Sequence, residues 1–144
     1  DVTLDLSLEF TAGPFQTHQS AGLALLRPNR PQDRLALYIY GRGEGDGDRY
    51  RVSFSKISGG KEQGNKPVVL GKIGKKRTFS MRVQKRGFKY SAFVKPAGAG
   101  KWTIVGNQSF LGKKLVPGFF AWRKAQRVEA LVEFDRFQVD SIEK

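Results

Sequence analysis

The chain has 144 residues, the length of one ordinary domain, and its hydrophobic (39%) and aromatic (12%) content is enough for a real core. It has no cysteine, which excludes disulfides and cysteine-ligated zinc, and no apolar run approaches the ~18 residues a membrane helix needs. Lys and Arg number 26 against 13 Asp and Glu, and the formal net charge of +13 attracts polyanions without choosing among nucleic acid, acidic polysaccharide and anionic membrane.

Period-two alternation runs from end to end. "VTLDLSLEF" (2–10) sets Val2, Leu4, Leu6, Leu8 and Phe10 on one face. "SAGLALLR" (20–27) is almost continuously apolar, as expected of a strand covered on both sides. "RLALYIYG" (34–41) puts Leu35, Leu37 and Ile39 on one face and Tyr38 and Tyr40 on the other. "RYRVSFS" (49–55) turns Tyr50, Val52 and Phe54 inward and Arg49, Arg51 and Ser53 outward. "VVLGKI" (68–73) is a short strand, and "RTFSMRVQ" (77–84) alternates Phe79, Met81 and Val83. "FKYSAFVK" (88–95) directs Phe88, Tyr90, Ala92 and Val94 to the core and Lys89, Ser91 and Phe93 away from it. "KWTIVG" (101–106), "PGFFAW" (117–122) and "EALVEFDRFQV" (129–139) complete about ten strands.

Turn chemistry separates the runs. "GRGEGDGD" (41–48), "SGGKEQGNKP" (58–67) and "KPAGAGK" (95–101) are read as connections. "QKRG" (84–87) is short enough to join its two neighbours as a hairpin, with Gly87 marking the turn. No stretch carries a clear helical stripe; "RKAQRVEALVEF" (123–134) reads as a turn followed by a strand. Many short strands with regular turn signals predict an all-β, two-sheet antiparallel sandwich. This also decides the meaning of "KRGFKYSAF" (85–93), which nearly spells the central strand of an RNA-recognition motif. Lys89 and Ser91 break that template, and the two helices the fold requires are not in the sequence.

The run "MRVQKRGFKYSAFVKPAGAGKWTIVG" (81–106) resembles a hairpin of concanavalin-like and laminin-G-like jelly rolls, through Gly87, Phe88, Tyr90, Gly98, Gly100, Trp102, Ile104, Val105 and Gly106. "QSAGLALL" (19–26) and "PGFFAW…VEALVEFDRFQV" (117–139) resemble two segments of the C-terminal β-sandwich of family 43 glycoside hydrolases, the β-xylosidases and arabinofuranosidases. The three pieces fall in register over most of the chain. The resemblance implies a jelly roll over residues 1–144 that is one piece of a larger, exported, bacterial-type protein. The sandwich would bind sugar, buttress a catalytic domain, or lend a loop to its active site. The start of the chain inside a strand pattern favours an excised piece, although the lack of cysteine also fits a cytosolic protein. The chain departs from the family in its basic charge and in the Gly-rich loop 41–48.

Five chemistries are open to weighing on these residues. His18 is the only histidine, in a loop, and no G-x-S-x-G elbow is present, so nucleophilic catalysis is not indicated. Glu133 and Asp135 stand two apart on a strand, the spacing of a paired-carboxylate glycosidase, but the third acidic position of that pattern is occupied by Phe137 and Gln138. Glu44, Asp46 and Asp48 alternate with glycines in a loop of calcium-binding composition that lacks the downstream Glu, so no cofactor is expected beyond a structural calcium at that loop. The basic stretches 71–77, 84–89 and 112–114 suit acidic polysaccharide or nucleic acid. For sugars, Tyr38, Tyr40, Arg49, Arg51, Lys89, Phe93 and Trp122 would form an aromatic and basic groove if their strands share one sheet. Trp122 leads this set, since it faces away from Phe119 and Ala121; Trp102 is assigned to packing. The expected function is a non-catalytic carbohydrate-binding or accessory module, with an acidic-polymer binder and a glycoside-acting enzyme as rivals.

Overall fold

The computed structural model describes residues 2–11, 19–42, 49–72, 76–111, 115–123 and 131–141. Among them there are eleven strands and no helix: β1 (Val2–Thr11), β2 (Gln19–Arg27), β3 (Arg30–Arg42), β4 (Arg49–Ser58), β5 (Lys61–Gly64), β6 (Val68–Lys72), β7 (Lys76–Arg86), β8 (Lys89–Pro96), β9 (Thr103–Ser109), β10 (Val116–Arg123) and β11 (Leu131–Ser141). They form two antiparallel sheets. Sheet A has the order β11-β1-β7-β8-β9; sheet B has the order β10-β2-β3-β4-β5, with β6 also pairing β4.

Each sheet buries the apolar face that its alternation predicts. Leu4, Leu6 and Leu8 of β1, Phe79, Met81 and Val83 of β7, and Tyr90, Ala92 and Val94 of β8 line the inner face of sheet A. Sheet B answers with Ala21, Leu23 and Leu25, Leu35, Leu37 and Ile39, and Tyr50, Val52 and Phe54. The rings of Tyr50 and Phe79 meet edge-on across the two sheets at 5.1 Å, a geometry favoured by the ring quadrupoles.

Two details of the chain differ from the pattern reading. Residues 58–67 are not a plain connection, because Lys61–Gly64 pair with β4. Gly59 and Gly60 have φ of 58° and 75°, and Ser58 pairs Lys61 around them. Positive φ at both central positions is the geometry of a two-residue hairpin whose twist matches its strands. The hairpin between β7 and β8 closes on the pair Arg86–Lys89. Its turn is therefore Gly87-Phe88, one residue later than the alternation suggests. Phe88, expected in the core, is a turn residue and 64% exposed.

Candidate functional site

The outer face of sheet B carries a groove of about 630 Å³, within the range of small-molecule pockets. Strand register explains why it is hollow. Gly118 of β10, Ala24 of β2, Ala36 of β3 and Ser55 of β4 stand side by side across the sheet. The next row is Phe120, Gly22, Tyr38 and Ser53. Four of the floor positions hold glycine or alanine, so the sheet offers almost no side-chain bulk between its aromatic walls.

Gly22 is needed for a further reason. A Cβ there would lie 2.0 Å from the Leu37 carbonyl oxygen and 2.7 Å from the Tyr38 Cα. Any side chain at position 22 would therefore force β2 and β3 to shift beneath the groove.

Tyr38 and Phe120 form one wall, with ring centroids 6.5 Å apart. Tyr40 extends it, 5.7 Å from Tyr38 and tilted by 36°. Arg34 and Glu62 also line the groove, adding a cation and an anion to its small and aromatic side chains. The Tyr38 hydroxyl donates to Glu62 Oε1 at 3.3 Å. Burial pushes the Tyr38 phenol above its usual range; a hydrogen bond with Ser55 opposes this, and the Glu62 carboxylate adds to it. The phenol therefore keeps its proton, which it donates to Glu62.

Of the residues expected to form a groove, the structure brings Tyr38, Tyr40 and Arg51 onto one face of sheet B, with Tyr40 paired to Arg51. Trp122 and Arg49 occupy positions in the same sheet, Trp122 opposite Ser20 and Arg49 opposite Arg42; their side chains lie outside the described set. Lys89 and Phe93 do not join them. They belong to β8 in sheet A, on the other side of the molecule, because alternation gives the face of a strand but not the sheet it enters. Phe120, Arg34 and Glu62 were not expected. For Phe120 the signal was present, since Gly118, Phe120 and Trp122 share one parity along β10.

Trp102 packs, as expected, but on the outside of sheet A. The Arg82 guanidinium lies 4.5 Å from its ring centroid and the Lys95 ammonium 5.2 Å. Arg82 also grips Asp5, so this cluster is an internally satisfied brace.

Glu133 pairs with Glu9 along β11, in sheet A and away from the groove. Between Arg136, opposite Ser7, and Phe134, opposite Leu8, the register slips and leaves Asp135 as an extra residue. The simple alternation that would set Glu133 and Asp135 on one face is interrupted there. Their side chains, like the whole of His18, Glu44, Asp46 and Asp48, lie outside the described residues.

No protein-family model and no curated protein matches the chain. Solved structures do. A xylan beta-1,4-xylosidase from Bacillus halodurans aligns with 97% of this chain at a TM-score of 0.73 and 13% identity, over 27% of its own length. A family 43 glycoside hydrolase from Bacillus licheniformis gives 0.71 and 12% identity, over 97% of this chain and 28% of that one. The CBM2 module of the evolved Dit protein of Lactobacillus casei phage J-1 gives 0.68 and 12% identity, over 96% and 60%. The chain thus spans about a quarter of the length of the two hydrolases. At these identities the likeness shows the fold: an all-β sandwich resembling one found within family 43 hydrolases and in a CBM2 module.

Proposed function

We propose that the protein is a non-catalytic carbohydrate-binding module, accessory to a glycoside-acting catalytic domain, and that the groove on sheet B holds the sugar. One observation carries this reading: a floor of Ala24, Ala36 and Gly118 flanked by the rings of Tyr38 and Phe120. A sugar ring presents flat C–H faces and a rim of hydroxyls. The aromatic wall suits the first. The Arg34 donors, the Glu62 acceptor and the Tyr38 hydroxyl suit the second. With one cation and one anion in the groove, neutral sugar is the better match. The fold shared with family 43 hydrolases and a CBM2 module supports the same reading, while fold alone leaves the ligand to the site.

Affinity gels containing xylan, arabinan, fructan or pectin test it, run at low and high salt. Stacking predicts retention on a neutral polymer that persists in ~0.5 M salt, where counterion-driven binding fades. Tyr38→Ala or Phe120→Ala removes about 1.5–3 kcal/mol of apolar contact, which weakens retention roughly 10- to 100-fold. Retention confined to pectin and lost in salt, or unchanged in both variants, overturns the proposal.

A further inference from the structure

The strongest unassigned feature lies at one end of sheet A, away from the groove. Phe88, at the tip of the β7–β8 hairpin, is 64% exposed, and Leu111, just beyond β9, is 77% exposed. They are neighbours in space, because the Phe110 amide donates to the Phe88 carbonyl at 3.1 Å. An exposed aromatic and an exposed leucine therefore lie on adjoining backbone at this end of sheet A.

Basic residues surround this tip. Arg86 and Lys89 are both exposed and stand directly opposite each other as the closing pair of the hairpin. Like charges in such a pair destabilise a hairpin, so the arrangement costs stability locally. Lys85 adds a cation on the other face of the same hairpin, with its ammonium 6.0 Å from the Tyr90 ring centroid. Lys56 reaches in from β4 and donates to the Ser109 carbonyl at 3.0 Å. The chain has no Asp or Glu between Glu62 and Glu129, so β7, β8 and β9 supply no carboxylate here, and the exposed Asp140 of β11 stands two strands away, opposite Thr3 of β1. Gly87, with φ of 59°, provides the turn that pushes Phe88 outward.

We propose that this end of the protein is a docking surface for an anionic lipid bilayer. Phe88 and Leu111 enter the interface between headgroups and acyl chains, while Lys85, Arg86 and Lys89 meet the acidic headgroups. Charge complementarity selects the lipid's sign, and the projecting apolar pair selects lipid over a soluble polyanion, which would use the cations but not Phe88 and Leu111. The tip is separate from the sugar groove and does not depend on it.

Co-sedimentation with vesicles tests the proposal, using phosphatidylcholine alone or with roughly a third phosphatidylserine. The intact chain is expected to sediment with the anionic vesicles and not with the neutral ones. A basic residue near such a surface contributes about 1 kcal/mol, about 5-fold in partitioning. Replacing Lys85, Arg86 and Lys89 together by Gln should thus weaken binding roughly 100-fold. Phe88→Ser should weaken it by about 10-fold or more while leaving retention on heparin unchanged. Because both apolar side chains are exposed, Phe88→Ser and Leu111→Ser should keep the wild-type circular dichroism and melting temperature. Tyr38→Ala should leave vesicle binding unaltered, which separates this surface from the groove. Equal binding to both vesicle types overturns the proposal. So does insensitivity to Phe88→Ser and Leu111→Ser alongside charge-dependent heparin retention, which would make the tip a polyanion site. Concentration-dependent dimerisation abolished by Phe88→Ser, without vesicle binding, would assign the tip to a second copy of the chain and also overturn it.

Discussion

Arg82 holds Asp5 through two parallel hydrogen bonds, Nε to Oδ1 at 2.7 Å and Nη2 to Oδ2 at 2.8 Å. The residues face each other across β1 and β7, strands brought together from distant parts of the sequence. The Asp5 hydrogen bond raises the Arg82 pKa, with burial acting against it, so the guanidinium stays charged at every pH the protein experiences. The fork also rests against Trp102. Asp5→Asn should lower stability by about 0.5–1.5 kcal/mol, read as a lower urea midpoint at unchanged slope. Arg82→Lys should cost a similar amount, because an ammonium reproduces neither the fork nor the stack. A midpoint unchanged by Arg82→Lys would show that charge alone holds the pair.

Gly22 and Gly118 should respond in opposite ways to the same added methyl. At Gly22 the new Cβ meets the backbone of β3, and strands cannot move apart without breaking their ladder. Gly22→Ala should cost about 3 kcal/mol or more and lower the melting temperature sharply. At Gly118 nothing lies within 4 Å of a new Cβ, so Gly118→Ala should change stability by less than about 0.5 kcal/mol. Its effect should appear in the groove, as weaker sugar retention by a normally folded protein.

Tyrosine titration reports on the wall of the groove. Burial raises the phenol pKa of Tyr38 and of Tyr90, with Glu62 adding to the shift at Tyr38. An alkaline titration followed by tyrosinate absorbance should contain a component that ionises late, and Tyr38→Phe should remove part of it. A phenol with a higher pKa in the folded state binds its proton more tightly there. This contribution is complete below pH about 10, the unfolded value, and disappears as pH rises through the raised value. Tyr38→Phe should therefore flatten part of the alkaline loss of stability.

The β4–β5 turn can be tested at Gly60. Its φ is 75° and a Cβ there would meet nothing within 4 Å, so substitution carries a backbone penalty only. Gly60→Val should cost about 1–2 kcal/mol, while Gly60→Asn should cost less because Asn tolerates this region. Since Glu62 sits just beyond the turn, Gly60→Val should also speed hydrogen exchange in β5 and bring the Tyr38 titration closer to normal.

What the sequence revealed depended on the kind of signal. Wherever a strand buries one face, alternation showed it: Leu35, Leu37 and Ile39 lie inside and Tyr38 and Tyr40 outside, as read from their spacing. Strand β5 has no such signal, because Lys61–Gly64 are all exposed and pair only through backbone and turn geometry. Without β5, Glu62 could not be placed beside Tyr38. Lys89 and Phe93 show a second limit. Their outward orientation was legible, but membership of sheet A or sheet B comes from long-range pairing that a local pattern does not encode. Phe88 shows a third, since a turn displaced by one residue moves a side chain from core to solvent.

One consequence of the sheet layout concerns self-association. On one side of sheet B, β4 is covered by two short strands, β5 along Ser55–Ser58 and β6 along Arg49–Val52, and Gln108 of β9 donates to the Phe54 and Gln63 carbonyls where they meet. On the other side, β10 carries Pro117, a residue with no amide to offer an incoming strand. Among the described residues, one border of sheet B is thus made of two short strands and the other carries a proline. A second chain seeking to extend the sheet would find one border broken into short lengths and the other interrupted by proline. Extension of the molecule by strand addition would therefore have to begin at the edges of sheet A, β11 and β9, rather than at sheet B.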